Sequence, residues 1–295
     1  MDIGRFGVWH PLFSRAPARR LRAAAQEIES LGFGTLWFGE APGGKEAFST
    51  AGILLAATSR IVVGSGIANI WGRDATAMAA GAAALGEAYP GRFLLGVGVS
   101  HAPLVASRGH DYSRPVAAMS AYLDGMEVAA VNLPAADPPP PTLLAALRPR
   151  MLELARDKAD GAHPYFVPPE HTALARKTLG PDRLLAPEQA FVLESDPAAA
   201  RAVARRHTTG YLALPNYANS LRHLGFSDDD LADGGSDRLI DAIVAWGDPA
   251  IVARRVAAHL EAGADHVALQ PLSPEGPDLD DALAQLRTLA PHLPR

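Results

Sequence analysis

Gly32-Phe33-Gly34-Thr35-Leu36-Trp37-Phe38-Gly39-Glu40 is the stretch on which the fold turns. Its first glycine stops a helical pattern running from Pro17 to Leu31, because glycine accepts the left-handed conformation that ends a helix. Thr35 to Phe38 then makes a short β-branched and aromatic run, the composition of a strand. Gly39 and Glu40 give that strand a polar end. A helix, a strand and a polar strand end make one unit of a β/α repeat, and the remaining chain repeats it.

Upstream, Arg5 to Trp9 reads as strand one. Downstream, the helix Phe48–Thr58 leads to strand three at Ile61–Ile67, and the Ala-rich helix Asp74–Ala88 leads to strand four at Arg92–Val99. A long polar connection and the helix Pro115–Val131 follow, then the stiff Pro138–Pro141 connector and strand five at Thr142–Leu147. Strand six is expected at Gly161–Val167 and strand seven at Gln189–Leu193. Residues Asp196 to Trp246 are too many for one helix, and three are expected, with breaks at Gly225 and Gly234-Gly235. The helix Pro249–Ala262, strand eight at His266–Leu269 and a last helix at Asp280–Leu289 complete the count. Eight strands with intervening helices predict one (β/α)8 TIM barrel over residues 1–295, with a helical insertion before the last strand. An open doubly wound sheet is the alternative.

Composition narrows the function classes. The net charge is -5 and no run of like charges occurs, so neither nucleic acid nor an anionic membrane is expected as a partner. Without cysteine there is no disulfide framework, thiolate metal site or cysteine nucleophile. The N-terminus lacks a basic start and apolar stretch, and no segment reaches the apolar length of a membrane span, so a cytoplasmic protein is expected.

In a barrel of this kind function sits at the C-terminal strand ends. These ends nominate Trp9-His10, Gly39-Glu40-Ala41, Gly66 to Asn69, Gly98 to His101, Arg148, Gly161 to Tyr165, Glu194 and Gln270. Gly32–Glu40 resembles the second-strand motif of luciferase-like monooxygenases, in which a Gly-Phe-x-x-x-Trp segment delivers an acidic residue to the site. Ala57-Thr58-Ser59-Arg60-Ile61 with Val63-Gly64-Ser65-Gly66-Ile67 resembles that family's third-strand entry, and Gly91–Gly98 its fourth strand. Ala262-Gly263-Ala264-Asp265-His266-Val267 is similar to its approach to strand eight. The likeness runs in order through nearly the whole chain and is nearest to members of the family that use the deazaflavin coenzyme F420.

What the resemblance implies can be stated residue by residue. Gly64 and Gly66 would let a flat tricyclic ring approach a strand end, with a non-proline cis peptide between Gly66 and Ile67 backing it; packing of the strand end is the plain alternative. Trp9, Gly39, Asn69, Gly98 and Ser100 would complete the ring's surroundings. Gly161, Ala162 and His163 lie where relatives hold the cofactor's phosphate, and Arg176, Lys177 and Arg183 are candidates for an acidic tail or a solvated helix face. Glu40 matches the acidic residue that meets the polar ring edge. Many relatives follow it with histidine, whereas this chain has Ala41, so a proton relay there is missing. His101 is the candidate to replace it, as a proton donor or acceptor, with a capping role as its alternative; His10 is a second candidate.

No G-x-G-x-x-G fingerprint, Walker A loop, G-x-S-x-G elbow or H-E-x-x-H pair occurs, so no metal site is expected. The expected activity is F420-dependent hydride transfer to or from a small organic molecule. An FMN-dependent monooxygenase is the alternative, and a non-catalytic flavin- or deazaflavin-binding protein a third reading. The resemblance further implies a homodimer.

Overall fold

The computed structural model describes residues 1–131, 133 and 136–294. It begins with β1 (Phe6–Trp9) and α1 (Ala18–Ser30), then β2 (Thr35–Phe38) and α2 (Ala47–Leu55). The third strand breaks: β3 (Val62–Ser65) stops before Gly66 and resumes as β4 (Ala68–Asn69), ahead of α3 (Ala75–Ala88). After β5 (Phe93–Gly98) a short α4 (Ala102–Ala106) interrupts the expected polar connection and precedes α5 (Pro115–Ala130). Next come β6 (Thr142–Leu144), α6 (Pro149–Lys158), β7 (Gly161–Ala162) and α7 (Pro169–Leu179). The seventh barrel strand starts earlier than its sequence pattern, as β8 (Leu184–Leu185) and β9 (Glu188–Val192). The insertion contains α8 (Pro197–Leu212), α9 (Pro215–His223), α10 (Asp228–Leu231), α11 (Asp237–Ile243) and β10 (Val244–Trp246). Then α12 (Pro249–Glu261), β11 (Val267–Pro271) and α13 (Leu279–Leu289) complete it.

All strand pairs are parallel, and the order runs β10-β9-β11-β1-β2-β3-β5-β6-β7-β8. The two ends of this path are joined by the chain itself. β8 pairs with β7, β9 pairs with β11, and only Ala186 and Pro187 separate them. Ala186 N–H donates to Ala162 O at 3.0 Å, and Pro187 O accepts from Ala268 N–H at 2.9 Å, so the hydrogen bonding continues across the junction. β8 and β9 are therefore halves of one strand, and the barrel is closed. The expected open-sheet alternative is set aside by this junction.

Three expectations need correction. Strands five and six are cut to Thr142–Leu144 and Gly161–Ala162, and the residues just beyond, Ala145 to Leu147 and His163, line the cavity. The insertion holds four α-helices where three were expected. Its last residues, read as helical, form β10, which pairs with β9 through Val244↔Ala190.

Side chains inside and outside the barrel divide its core. The outer layer packs apolar faces of the surrounding helices on the sheet, with Leu21, Leu54, Met78 and Leu286 fully buried. Aspartates fix several helix starts: Asp74, Asp196 and Asp248 accept from backbone N–H groups three residues on, each worth about 1 kcal/mol. Inside the barrel stand Trp9, Trp37, Val62, Leu94 and Leu143. Trp37 is wholly buried, its Nε1–H donates to His266 Nε2 at 3.0 Å, and His163 stacks on it at 4.3 Å with the rings 7° apart. His266 Nδ1 in turn donates to Gly4 O at 2.7 Å, which fixes its tautomer. Among the described residues no helix is long and apolar enough to cross a membrane.

Candidate active site

The column of Trp37 and His163 ends at the C-terminal strand ends beneath a cavity of about 1190 Å³. Ordinary small-ligand sites measure about 300–1,000 Å³, so this one has room for two molecules side by side. Its floor comes from β1, β2 and the break between β3 and β4: Trp9, Gly39, Gly66 and Ile67. The peptide between Gly66 and Ile67 is cis, as the resemblance implied. Trp9 Nε1–H donates to Gly66 O at 3.1 Å, Gly66 N–H donates to Phe38 O at 2.7 Å, and Glu40 N–H donates to Ile67 O at 3.1 Å. Backbone rather than side chain thus faces the opening at Gly66.

The reason for glycine here differs from the one expected. A Cβ on Gly66 would lie 2.8 Å from both Trp9 Nε1 and His163 Nε2, so it would strike the layer below the floor. His163 Nδ1 donates to Ala186 O at 2.6 Å, leaving Nε2 as a buried acceptor without a protein partner. Burial lowers the His163 pKa to about 4, so the ring is neutral.

Of the nominated residues, Trp9, Gly39, Glu40, Ala41, Gly66, Ile67, Val99, Ser100, His101, Arg148, His163 and Tyr165 line the cavity. Gly64, Asn69, Gly98, Gly161 and Ala162 lie behind the wall. Gly64 makes room for the Trp37 ring and Gly98 for the Ile67 side chain, at 2.7 and 2.6 Å from a notional Cβ. Gly161 lets β7 approach Leu184 O of β8, and Ala162 is fully buried beside it. Asn69 is 2% exposed and accepts from Trp71 N–H through Oδ1. Arg176 is spent at the opposite end of the barrel, bonding Gly263 O, Arg183 O and Asp265 before β11 and β8. Arg183 bonds Arg156 O there, and Lys177 lines a separate cavity of about 380 Å³ between α6 and α7. His10 is a cap: its Nδ1 accepts from Leu12 N–H at 3.3 Å and it does not line the cavity.

Glu40 reaches the wall with its carboxylate already engaged. Arg73 Nη1 donates to Oε2 at 3.0 Å and Nη2 to Oε1, Asn69 N–H donates to Oε2 at 2.8 Å, and Ala47 N–H to Oε1 at 3.3 Å. Four donors fix this carboxylate in one orientation at the wall. His101 has the freer ring. Its Nδ1 lies 2.9 Å from Asn216 Oδ1, an acceptor, so Nδ1 carries the proton and Nε2 keeps its lone pair. Burial lowers its pKa, partly opposed by the Asn216 bond.

Two parts of the wall were found by sequence reasoning only in fragment, through Arg148 and Tyr165 at their strand ends. One is cationic: Arg114, Arg148 and Arg150 line the cavity from the start of α5 and the turn into α6, none with an ion-pair partner among the described residues. The other is aromatic: Tyr165 from the end of β7 meets Tyr211 and Tyr217 of the insertion, with ring centroids 5.3 and 6.2 Å away. Periodicity hides Arg114, Arg150, Tyr211 and Tyr217, since each sits on or at the start of an ordinary helix, whereas the strand ends pointed to Arg148 and Tyr165.

Comparison with known proteins bears on the family and the fold. The family model of luciferase-like monooxygenases matches residues 4–266. The 5,10-methylenetetrahydromethanopterin reductase of Methanolobus tindarius is 26% identical over 217 residues, 64% of this chain and 66% of that protein, so the match spans slightly less than two thirds of its relative. Among solved structures, the coenzyme F420-dependent tetrahydromethanopterin reductase of Methanopyrus kandleri has TM-score 0.79 and 18% identity, covering 99% of this chain and 100% of that one. The FMN complex of the oxygenating constituent of 3,6-diketocamphane monooxygenase from Pseudomonas putida, a type II Baeyer–Villiger enzyme, has TM-score 0.68 and 13% identity over 99% of both chains. At these identities the two structures speak to the fold.

Proposed function

Because the chain belongs to the luciferase-like monooxygenase family, we propose that it is an oxidoreductase that holds coenzyme F420 in the barrel mouth and reacts it with a small organic substrate. The observation that carries this reading is the floor at Trp9, Gly39 and Gly66, where backbone and an indole offer a flat surface inside a cavity large enough for ring and substrate together. The residues present fit such a group. The orphaned Nε2 of His163 supports the floor from below, and Glu40 is locked by Arg73 so that the wall keeps its shape.

When bound, a deazaflavin supplies hydride transfer, chemistry that no side chain offers. The chain's own contribution is binding, orientation and a proton. Arg148 and Arg150 would hold the phosphate, because an unpaired guanidinium matches its oxygens in a fork. His101 would take a proton from a hydroxyl at Nε2 or return it, with Nδ1 steadied by Asn216.

FMN shares the ring shape and the phosphate, and the likeness to the FMN-bound Pseudomonas putida structure keeps a monooxygenase as the second reading. Titration of the purified protein with F420 and with FMN, read by the cofactor's own fluorescence, separates them. F420 is expected to bind at least about tenfold more tightly, a difference of about 1.4 kcal/mol. Arg148→Ala with Arg150→Ala should weaken it further, and more so at low salt. Binding of FMN alone would reverse the assignment, and binding of neither would end it.

A further inference from the structure

The cationic and aromatic parts of the wall differ in kind, and the difference bears on what the second molecule in the cavity is. Trp9, Tyr165, Tyr211, Tyr217 and His101 form a chain of rings, with centroids 5.1 Å apart from Trp9 to Tyr165, 5.3 Å to Tyr211, 5.2 Å to Tyr217 and 5.3 Å to His101. All five line the cavity. These are spacings at which aromatic rings attract one another in tilted and edge-on arrangements, so a further planar ring adds to the array.

The polar tips of this wall can be followed proton by proton. Tyr165 Oη–H donates to Gln270 Oε1 at 2.7 Å, and since it has no second proton, Tyr211 is the donor in the 2.8 Å contact between the two hydroxyls. Tyr211 therefore offers the cavity only lone pairs. His101 Nδ1 is committed to Asn216, so Nε2 is likewise an acceptor. Tyr217 Oη has no partner among the described residues and can give or accept. The wall carries no charge: burial raises the tyrosine pKa values and lowers that of His101. Glu188, buried behind it, is protonated at neutral pH, its carboxyl pushed up to about 8 by burial.

We propose that this wall is the substrate side of the cavity and that it selects a neutral, planar aromatic compound bearing a hydroxyl group. The rings supply stacking, and His101 Nε2 accepts the ligand's hydroxyl proton while Tyr217 donates to its oxygen. A carboxylate or phosphate would meet lone pairs in a desolvated pocket and is disfavoured there. A saturated alcohol of equal size keeps the hydrogen bonds and loses the ring contacts. This inference rests on the reading that the floor is occupied by the redox ring, which leaves the wall to the substrate.

The test uses the whole protein, saturated with whichever of F420 or FMN it binds, and calorimetric titration with 2-naphthol, 2-naphthoate and decahydro-2-naphthol. 2-Naphthol is expected to bind about tenfold or more tightly than either analogue. Tyr217→Phe and His101→Ala are each expected to weaken it about fivefold to tenfold, the cost of one hydrogen bond, with the affinity for F420 or FMN and the thermal midpoint little changed. Equal or tighter binding of 2-naphthoate, equal binding of the saturated alcohol, or indifference to both substitutions overturns the proposal. So does loss of 2-naphthol binding on saturation with the cofactor, which would put the probe on the floor. If neither cofactor binds but 2-naphthol keeps its preference and its dependence on Tyr217 and His101, the wall's selectivity stands and the cofactor reading falls.

Discussion

Arg73 grips both carboxylate oxygens of Glu40 from the turn that follows β4, and the two side chains are only 10% and 8% exposed. At that depth the loss of one partner leaves the other charged and poorly solvated. Glu46, 3.0 Å from Arg73 Nη2, softens the loss. Glu40→Gln is therefore expected to cost about 2–4 kcal/mol in urea unfolding, and the double change with Arg73→Met less than the sum of the single ones. A cost under about 1 kcal/mol would mean that the pair is as dispensable as a surface bridge.

Glu40 also illustrates what could be read without coordinates. Its motif located it at a strand end, because Gly32 and the Thr35–Phe38 run carry local information about helix stops and strands. Its partner Arg73 lies 33 residues away, and no local pattern joins them. The same division holds elsewhere. The barrel was legible, since each β/α unit is written in consecutive residues, and the cis peptide after Gly66 was implied by the family resemblance. The arginine rim and the tyrosine wall were legible only at Arg148 and Tyr165, because α5, α6, α8 and α9 bring Arg114, Arg150, Tyr211 and Tyr217 to them only after folding. Gly64 was expected to face the ring, Gly98 to lie near it and Gly161 to hold the phosphate, whereas the close neighbours of the three are Trp37, Ile67 and Leu184.

Acid should unfold this protein at mild pH. His10, His163 and His266 have pKa values lowered to about 4 and His259 to about 3, all chiefly by burial. A lowered histidine pKa means that the folded state refuses a proton the unfolded state accepts. The stability from each neutral histidine is complete above pH 6.5 and is lost as pH falls toward 4. Each contributes about 1.4 kcal/mol per pH unit in that window, so the four together should remove several kcal/mol between pH 7.5 and 5.5. Equal urea midpoints at those two values would contradict the buried, neutral state of these rings.

Glu188 runs the other way. Burial raises its pKa to about 8, opposed by the Phe166 N–H that donates to Oε2 at 3.1 Å. With a folded value above the unfolded one, its stabilising contribution is full below about pH 4.5 and is lost as pH climbs through 8. Glu188→Gln keeps an acceptor for Phe166, whose φ of 62° needs holding, and removes the titration. The variant should gain on the parent by about 1 kcal/mol per pH unit from pH 6 to 8 and then level off. Glu188→Leu, which leaves the Phe166 N–H unpaired, should be less stable than Gln at every pH. Parallel pH profiles for Gln and parent would show that the carboxyl is already ionised.

The floor makes the sharpest demand on a single atom. Alanine at position 66 would set its Cβ 2.8 Å from Trp9 Nε1 and from His163 Nε2. Neither ring can retreat cheaply. His163 is clamped between its stack on Trp37 and its bond to Ala186 O, and Trp9 is tied to the Gly66 carbonyl itself. The backbone must therefore lift toward the cavity, which roughens the surface on which a flat ring would rest. Gly66→Ala should cost about 1–3 kcal/mol of stability and weaken F420 or FMN binding about tenfold. Gly210→Ala in α8, where a Cβ meets nothing within 4 Å, should instead stabilise by about 0.5–1 kcal/mol and leave binding alone. If the two alanines behave alike, it is helix propensity and not the packing beneath Gly66 that shapes the mouth of the barrel.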